Sequence, residues 1–234
     1  MLPRITAMVN RPYLSLLIVL TALFILVPVG TRSLDYGIVL DIVYYVVVIV
    51  GLRSIASLWF SRMLMALAPF YIAGDVVGLL LKNTTIIMLV CLLGAVIILG
   101  VCVSILFAIH KVRQVNADVI MGGICVFLLI GQFFYMIYFS MYLFDASAFD
   151  FTSHGKHPPL LNAMGMIFYF SYSCLLTSGF GDIVPMNAWG QCLSVLEGIA
   201  GQCFLVVFIA RLVNLQYRAP SGSDRPQELR RPLD

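Results

Sequence analysis

The chain has 234 residues, of which 62% are hydrophobic and only 11% charged. Soluble domains carry about a quarter charged residues to wet their surface, so this composition indicates an integral membrane protein and excludes a separate soluble nucleotide-binding or ligand-sensing domain. The formal net charge of +3 is too small to point to nucleic acid as a partner.

Apolar runs fall at about 13–29, 36–52, 62–81, 84–109, 117–144 and 187–216. Most are long enough for a hydrocarbon core about 30 Å thick, with some tilt or end adjustment. The first run follows Arg4 and Arg11 and imitates a signal peptide. It ends in Val27-Pro28-Val29-Gly30-Thr31, which lacks a small-x-small cleavage pattern, so it reads as a retained helix. The second run is the weakest, because Asp41 interrupts it. The third carries Gly74-x-x-x-Gly78, a spacing that permits close helix contact and that chance also produces. The fourth, 84–109, holds no Arg or Lys. A shorter apolar segment, 160–176, would reach only about 25 Å at ~1.5 Å per residue, which suits a re-entrant half-helix better than a span. The tail, 217–234, has three prolines, several arginines and few apolar residues, and it is expected to be a disordered cytoplasmic end.

With six spans and the N-terminus inside, eleven of the fourteen basic residues fall on the inner side. Only Arg32, Lys82 and Lys156 fall outside. Basic residues concentrate on cytoplasmic loops, so both termini are expected in the cytoplasm, in the cell (plasma) membrane. A span at 160–176 would spoil that pattern. The six cysteines, Cys91, Cys102, Cys125, Cys174, Cys192 and Cys203, read as small packing residues, since no pair has zinc-site or disulfide-framework spacing.

One hexapeptide breaks the apolar pattern: Thr177-Ser178-Gly179-Phe180-Gly181-Asp182, with Pro185 beyond it. Gly costs about 1 kcal/mol against Ala inside a helix. Irregular backbone at membrane depth survives only where protein buries it or where it lines a watery path. This segment is therefore the candidate functional site.

From 117 onward the order is helix, outer loop, half-helix, Gly-rich turn, Pro, helix. Over about 100 residues this resembles the pore module of potassium channels, whose filter reads Thr-Val-Gly-Tyr-Gly-Asp, with Phe replacing Tyr in many members. Tyr169-Phe170-Ser171 occupies the place of the aromatic pair and Ser in that family's pore helix. Trp189-Gly190-Gln191-Cys192 is similar to the start of the inner helix in a bacterial member. The resemblance implies an all-α membrane protein with six transmembrane helices, a re-entrant pore helix and a selectivity filter. It implies four domains: a cytoplasmic segment at 1–12, a four-helix domain at 13–110, a pore domain at 117–216 and the tail at 217–234. Each chain has one filter segment, so a homotetramer, each chain with three identical partners in the bilayer, is implied.

The same resemblance assigns roles. Carbonyls of Thr177, Ser178, Gly179 and Phe180, with the Thr177 hydroxyl, would replace the water around a potassium ion. Gly179 and Gly181 would supply backbone angles closed to other residues. Phe180 would wedge against the half-helix, Asp182 would attract cations at the outer mouth, and Tyr169, Phe170 and Glu197 would support the filter. The negative dipole end of the half-helix would face the ion path. No cofactor is implied beyond the permeant ion.

Two departures stand out. Ser178 replaces the family's Val or Ile, and Leu176 replaces a second Thr. Both keep a weakly selective monovalent cation channel open as an alternative. Gly201, 19 residues after Asp182, has the family's hinge spacing, and Gly198 lies nearby. A packing role against the half-helix is the other reading of Gly201. Glu197 either bonds behind the filter or makes a structural bond to the half-helix.

Four helices before a pore module resemble the voltage-gated plan, but without arginines in 84–109 the domain should be a poor voltage sensor. Asp41 and Asp75 either pair with Arg32 or Lys82 or line a wet crevice. His154 and His157 are either solvated loop residues or a metal- or pH-responsive pair. His110 is placed at the interface, and Tyr44, Tyr45 and Tyr135 read as ordinary aromatics. An enzyme using Ser173 or Ser178 lacks its base, since no His lies inside a span. A transporter or an assembly subunit is the remote alternative.

Overall fold

The computed structural model describes residues 12–30, 45–47, 49, 59–81, 83–112, 116–152 and 158–217. The described residues are mostly helical: α1 (Pro12–Gly30), α2 (Trp59–Leu81), α3 (Thr84–Lys111), α4 (Ala117–Phe144), the half-helix α5 (Leu160–Leu175) and α6 (Ala188–Tyr217). These bounds follow the apolar runs closely. Of the 36–52 run, residues 45–47 and 49 are helical and the rest lies outside the described residues, Asp41 included. So do Arg32, Lys82, His154, His157, residues 1–11 and the tail from 218.

Local chemistry sets the helix ends. The Asn83 side chain accepts from the N–H groups of Thr85 (3.0 Å) and Ile86 (3.4 Å), and Asn116 accepts from Val119 (2.9 Å). Asn187 accepts from the Gly190 N–H at 2.7 Å. Each satisfies donors that the first helical turn leaves open. Pro159 precedes α5, where a fixed φ suits a helix start.

Helix α4 is the hub, packing against α1, α3, α5 and α6 of the same chain. Residues 112–116 alone connect it to α3. Helix α2 packs on α3, and the small residues explain how. A Cβ on Gly74 would stand 2.7 Å from Val90 Cγ2, and one on Gly78 would stand 3.0 Å from Ile87 Cγ1. The Gly74–Gly78 spacing thus serves close helix contact. Asp75 accepts from the Tyr45 hydroxyl at 2.8 Å; Arg32 and Lys82, its expected partners, lie outside the described residues.

Helices α3 (Thr84–Lys111), α4 (Ala117–Phe144) and α6 (over Ala188–Leu215) are long and apolar enough to cross a membrane. Helix α5 has 16 residues, short for a span as expected. All six cysteines are free. Cys102 and Cys125 are buried, but Cys192 and Cys203 are exposed on this chain, which corrects the packing reading for those two.

The all-α expectation also missed a small sheet. Strand β1 (Phe149–Phe151) pairs antiparallel with β2 (Ile183–Pro185), with Asp150 opposite Val184. Alternation explains it: Phe149 and Phe151 turn inward and Asp150 outward. Phe149 then packs edge-on against Phe170 and Tyr138, at 5.5 and 6.0 Å between ring centroids. The segment just after α4 is thereby tied to the chain just beyond the hexapeptide.

Candidate functional site

The half-helix ends at the hexapeptide through a specific turn. Thr177 N–H donates to Cys174 O (2.9 Å) and Ser178 N–H to Ser173 O (2.8 Å). This pair of bonds caps a helix when the residue just past its end is left-handed, and Thr177 has φ +55°. A β-branched residue at positive φ is strained, typically by about 1–3 kcal/mol. Gly179 (φ +53°) and Gly181 (φ +76°) repeat the left-handed turn, while Ser178 and Phe180 between them keep negative φ. Alternating hand turns successive peptide planes the same way, so that like groups collect on one side of the ribbon.

Residues 177–181 are all exposed on the single chain. Among the described residues no backbone hydrogen bond involves 179–181. The Thr177 hydroxyl donates to Leu176 O at 2.7 Å, which leaves its oxygen lone pairs free to accept a cation. The Ser178 hydroxyl, expected to seek a partner, is exposed on the single chain and has none among the described residues.

Two contacts support the segment from the side. The Phe180 ring stacks on Tyr169, centroids 5.9 Å apart and planes at 18°. The Tyr169 hydroxyl also faces the Asp182 carboxylate. Main-chain bonds hold the outer end: Thr152 N–H donates to Asp182 O (3.2 Å) and Met186 N–H to Ala148 O (2.8 Å).

Behind the segment, Glu197 of α6 is fully buried. Its Oε1 lies 2.6 Å from Ser171 Oγ of α5, and its Oε2 accepts from the Tyr138 hydroxyl of α4 at 2.9 Å. The structural bond to the half-helix is therefore present. Gly201 packs against the half-helix end, whereas a Cβ on Gly198 would have 3.5 Å to its nearest atom, Cys174 O. Helix α6 runs unbroken through both glycines. Phe170, expected to support the filter, packs in the aromatic cluster with Tyr138 and Phe149.

A hollow of about 590 Å³ opens beneath the segment, between Thr177 and Gly179 above and Ser194, Gly198 and Gln202 of α6. Sequence reasoning missed Gln202 and Tyr138. The signal for Gln202 was a polar residue one helical turn after Gly198. Tyr138 had none, because it is one of many aromatics in α4.

The geometry is that of an open ribbon of peptide groups held at the end of a half-helix and flanked by a long apolar helix. Such a ribbon can offer carbonyl oxygens to a cation but carries no nucleophile–base pair. Among the described residues there is no cluster of three or more His, Cys, Asp or Glu for a metal ion. Residues 119–217 match the family model described as Ion channel. No curated protein and no solved structure matches the chain.

Proposed function

Since residues 119–217 belong to an ion channel pore-loop family, we propose that this chain is one subunit of a homotetrameric potassium channel that passes the ion down its gradient. The alternating hand of Thr177, Gly179 and Gly181, with the exposed backbone of 179–181 in no described main-chain hydrogen bond, carries the reading. Open peptide groups at membrane depth need protein or water beside them. Four copies around one axis supply both, and their aligned carbonyls replace an ion's hydration shell. The ligands are the carbonyls of Thr177, Ser178, Gly179 and Phe180 with the Thr177 hydroxyl. Gly181 shapes the outer turn, and Asp182 draws cations to the mouth. Potassium is the permeant species rather than a resident cofactor.

The apolar α6 face of Val195, Ile199 and Val206, exposed on the single chain, suits burial against neighbouring copies. The topology that goes with this reading has six spans, both termini in the cytoplasm and the filter near the outer face of the plasma membrane. The four helices of 13–110 occupy the sensor position without sensing charge.

A second reading, a weakly selective monovalent cation pore, is favoured by one observation. Ser178, polar and exposed on the single chain, supplies no apolar packing behind the filter. Single-channel recording of purified protein in a planar bilayer, with potassium replaced by sodium on one side, tests both. A reversal potential near the potassium value supports the first reading, and one near zero supports the second. Absence of any unitary current overturns both.

A further inference from the structure

We infer that Glu197 is held as the neutral acid and donates a hydrogen bond to Ser171, bracing the half-helix between α4 and α6. The number of protons available at these contacts fixes the arrangement. Ser171 Oγ lies 2.7 Å from the Gly131 carbonyl oxygen of α4 and 2.6 Å from Glu197 Oε1. A carbonyl brings no proton and a serine hydroxyl brings one. If Ser171 donates to Glu197, two bare acceptors face each other at 2.7 Å. If it donates to Gly131, an ionised Glu197 meets the serine lone pairs at 2.6 Å. One arrangement satisfies every contact. Glu197 Oε1–H donates to Ser171, Ser171 donates to Gly131 O, and the Tyr138 hydroxyl donates to Oε2.

The surroundings agree. The titratable neighbours of Glu197 among the described residues are Tyr138 on α4 and Tyr172 and Cys174 on α5, with no Lys or Arg among them. A buried carboxylate without a cation is strongly disfavoured. Gly131 has no side chain because the Tyr172 ring fills that space, 2.5 Å from where a Cβ would stand. The chain Glu197–Ser171–Gly131 thus crosses from α6 through the half-helix α5 to α4, with Ser171 six residues before Thr177. Glu197 is a positioning residue. That role rests on the channel reading, whereas its protonation does not.

The test uses the full chain in lipid. The infrared difference between wild type and Glu197→Gln at neutral pH should contain a protonated-carboxyl carbonyl band that shifts in heavy water. A difference containing only carboxylate bands overturns the neutral acid, whether or not the protein conducts. In recordings, Glu197→Gln, whose amide both donates and accepts, should keep open probability near wild type. Glu197→Ala and Ser171→Ala should each lower it roughly tenfold, the scale of one lost buried hydrogen-bond partner. Alkaline solution should close the wild type reversibly and leave Glu197→Gln open. Glu197→Gln as impaired as Glu197→Ala, or identical pH profiles for wild type and Glu197→Gln, would overturn the brace.

Discussion

A Cβ built on Gly201 would stand 2.7 Å from the carbonyl oxygen of Leu175, the last residue of the half-helix. That oxygen is backbone and cannot swing aside, so α6 approaches the half-helix only because position 201 is glycine. Gly201→Ala should therefore destabilise the folded protein by about 1–3 kcal/mol, the usual scale of overpacking. Gly198→Ala, with 3.5 Å available, should not. Thermal unfolding of the two variants in the same detergent checks this. Equal losses of Tm would mean that the contact yields. A change in gating of Gly201→Ala beyond that destabilisation would support the hinge role.

Gly179 and Gly181 need to be glycine for a different reason. A Cβ at either would meet no atom within 4 Å of the same chain, yet φ is +53° and +76°. The cost of a side chain there is backbone strain, about 1–2 kcal/mol for an L-residue in the left-handed region. Gly179→Ala should abolish selective current. D-alanine at the same position, introduced by chemical synthesis of the segment, should preserve it, because its preferred φ has the opposite sign. Loss of selectivity with both enantiomers would show that space around the axis, and not φ, excludes the side chain.

The stack of Tyr169 on Phe180 and the approach of its hydroxyl to Asp182 can be separated by substitution. Tyr169→Phe keeps the ring contact, worth about 0.5–1.5 kcal/mol for an aromatic pair, and removes the hydroxyl. Tyr169→Ala removes both. The expected order of potassium-to-sodium permeability ratio is wild type, then Tyr169→Phe, then Tyr169→Ala. Identical ratios in all three would mean that the filter diameter is set elsewhere, by Thr152 and the strand pairing beyond Asp182.

Much of this was legible before the fold. Helix positions were readable because lipid demands long apolar runs, and α3 and α4 each match theirs to within two residues. The hexapeptide was readable because two glycines flanking an aromatic residue contradict their apolar surroundings. The β1–β2 pairing was not. Three-residue strands have no periodicity to detect, and their partners stand more than thirty residues apart. The left-handed φ of Thr177 was equally hidden, since the cap bonds around it impose that value on a residue that resists it. The Glu197–Tyr138 bond joins residues 59 apart, and nothing local to either announces it.

The C-terminal end of α3 bears on voltage sensitivity. Arg211 of α6 donates to the Ile109 carbonyl at 2.7 Å and meets His110 Nδ1 at 3.2 Å, so α3 and α6 are tied together near their C-terminal ends. Any force on α3 therefore reaches α6. The transmembrane field exerts little such force. One charge crossing the full potential contributes about 2.3 kcal/mol per 100 mV, but residues 84–109 hold none, and only His110 and Lys111 sit in the last turn. The conductance–voltage relation should be flat between hyperpolarised and depolarised potentials, and steep activation would contradict this. Arg211→Ala should shift open probability without moving the reversal potential, since the tie lies near the C-terminal end of α6, apart from residues 177–182. A reversal potential that moves in Arg211→Ala would place the contact's influence on the filter instead.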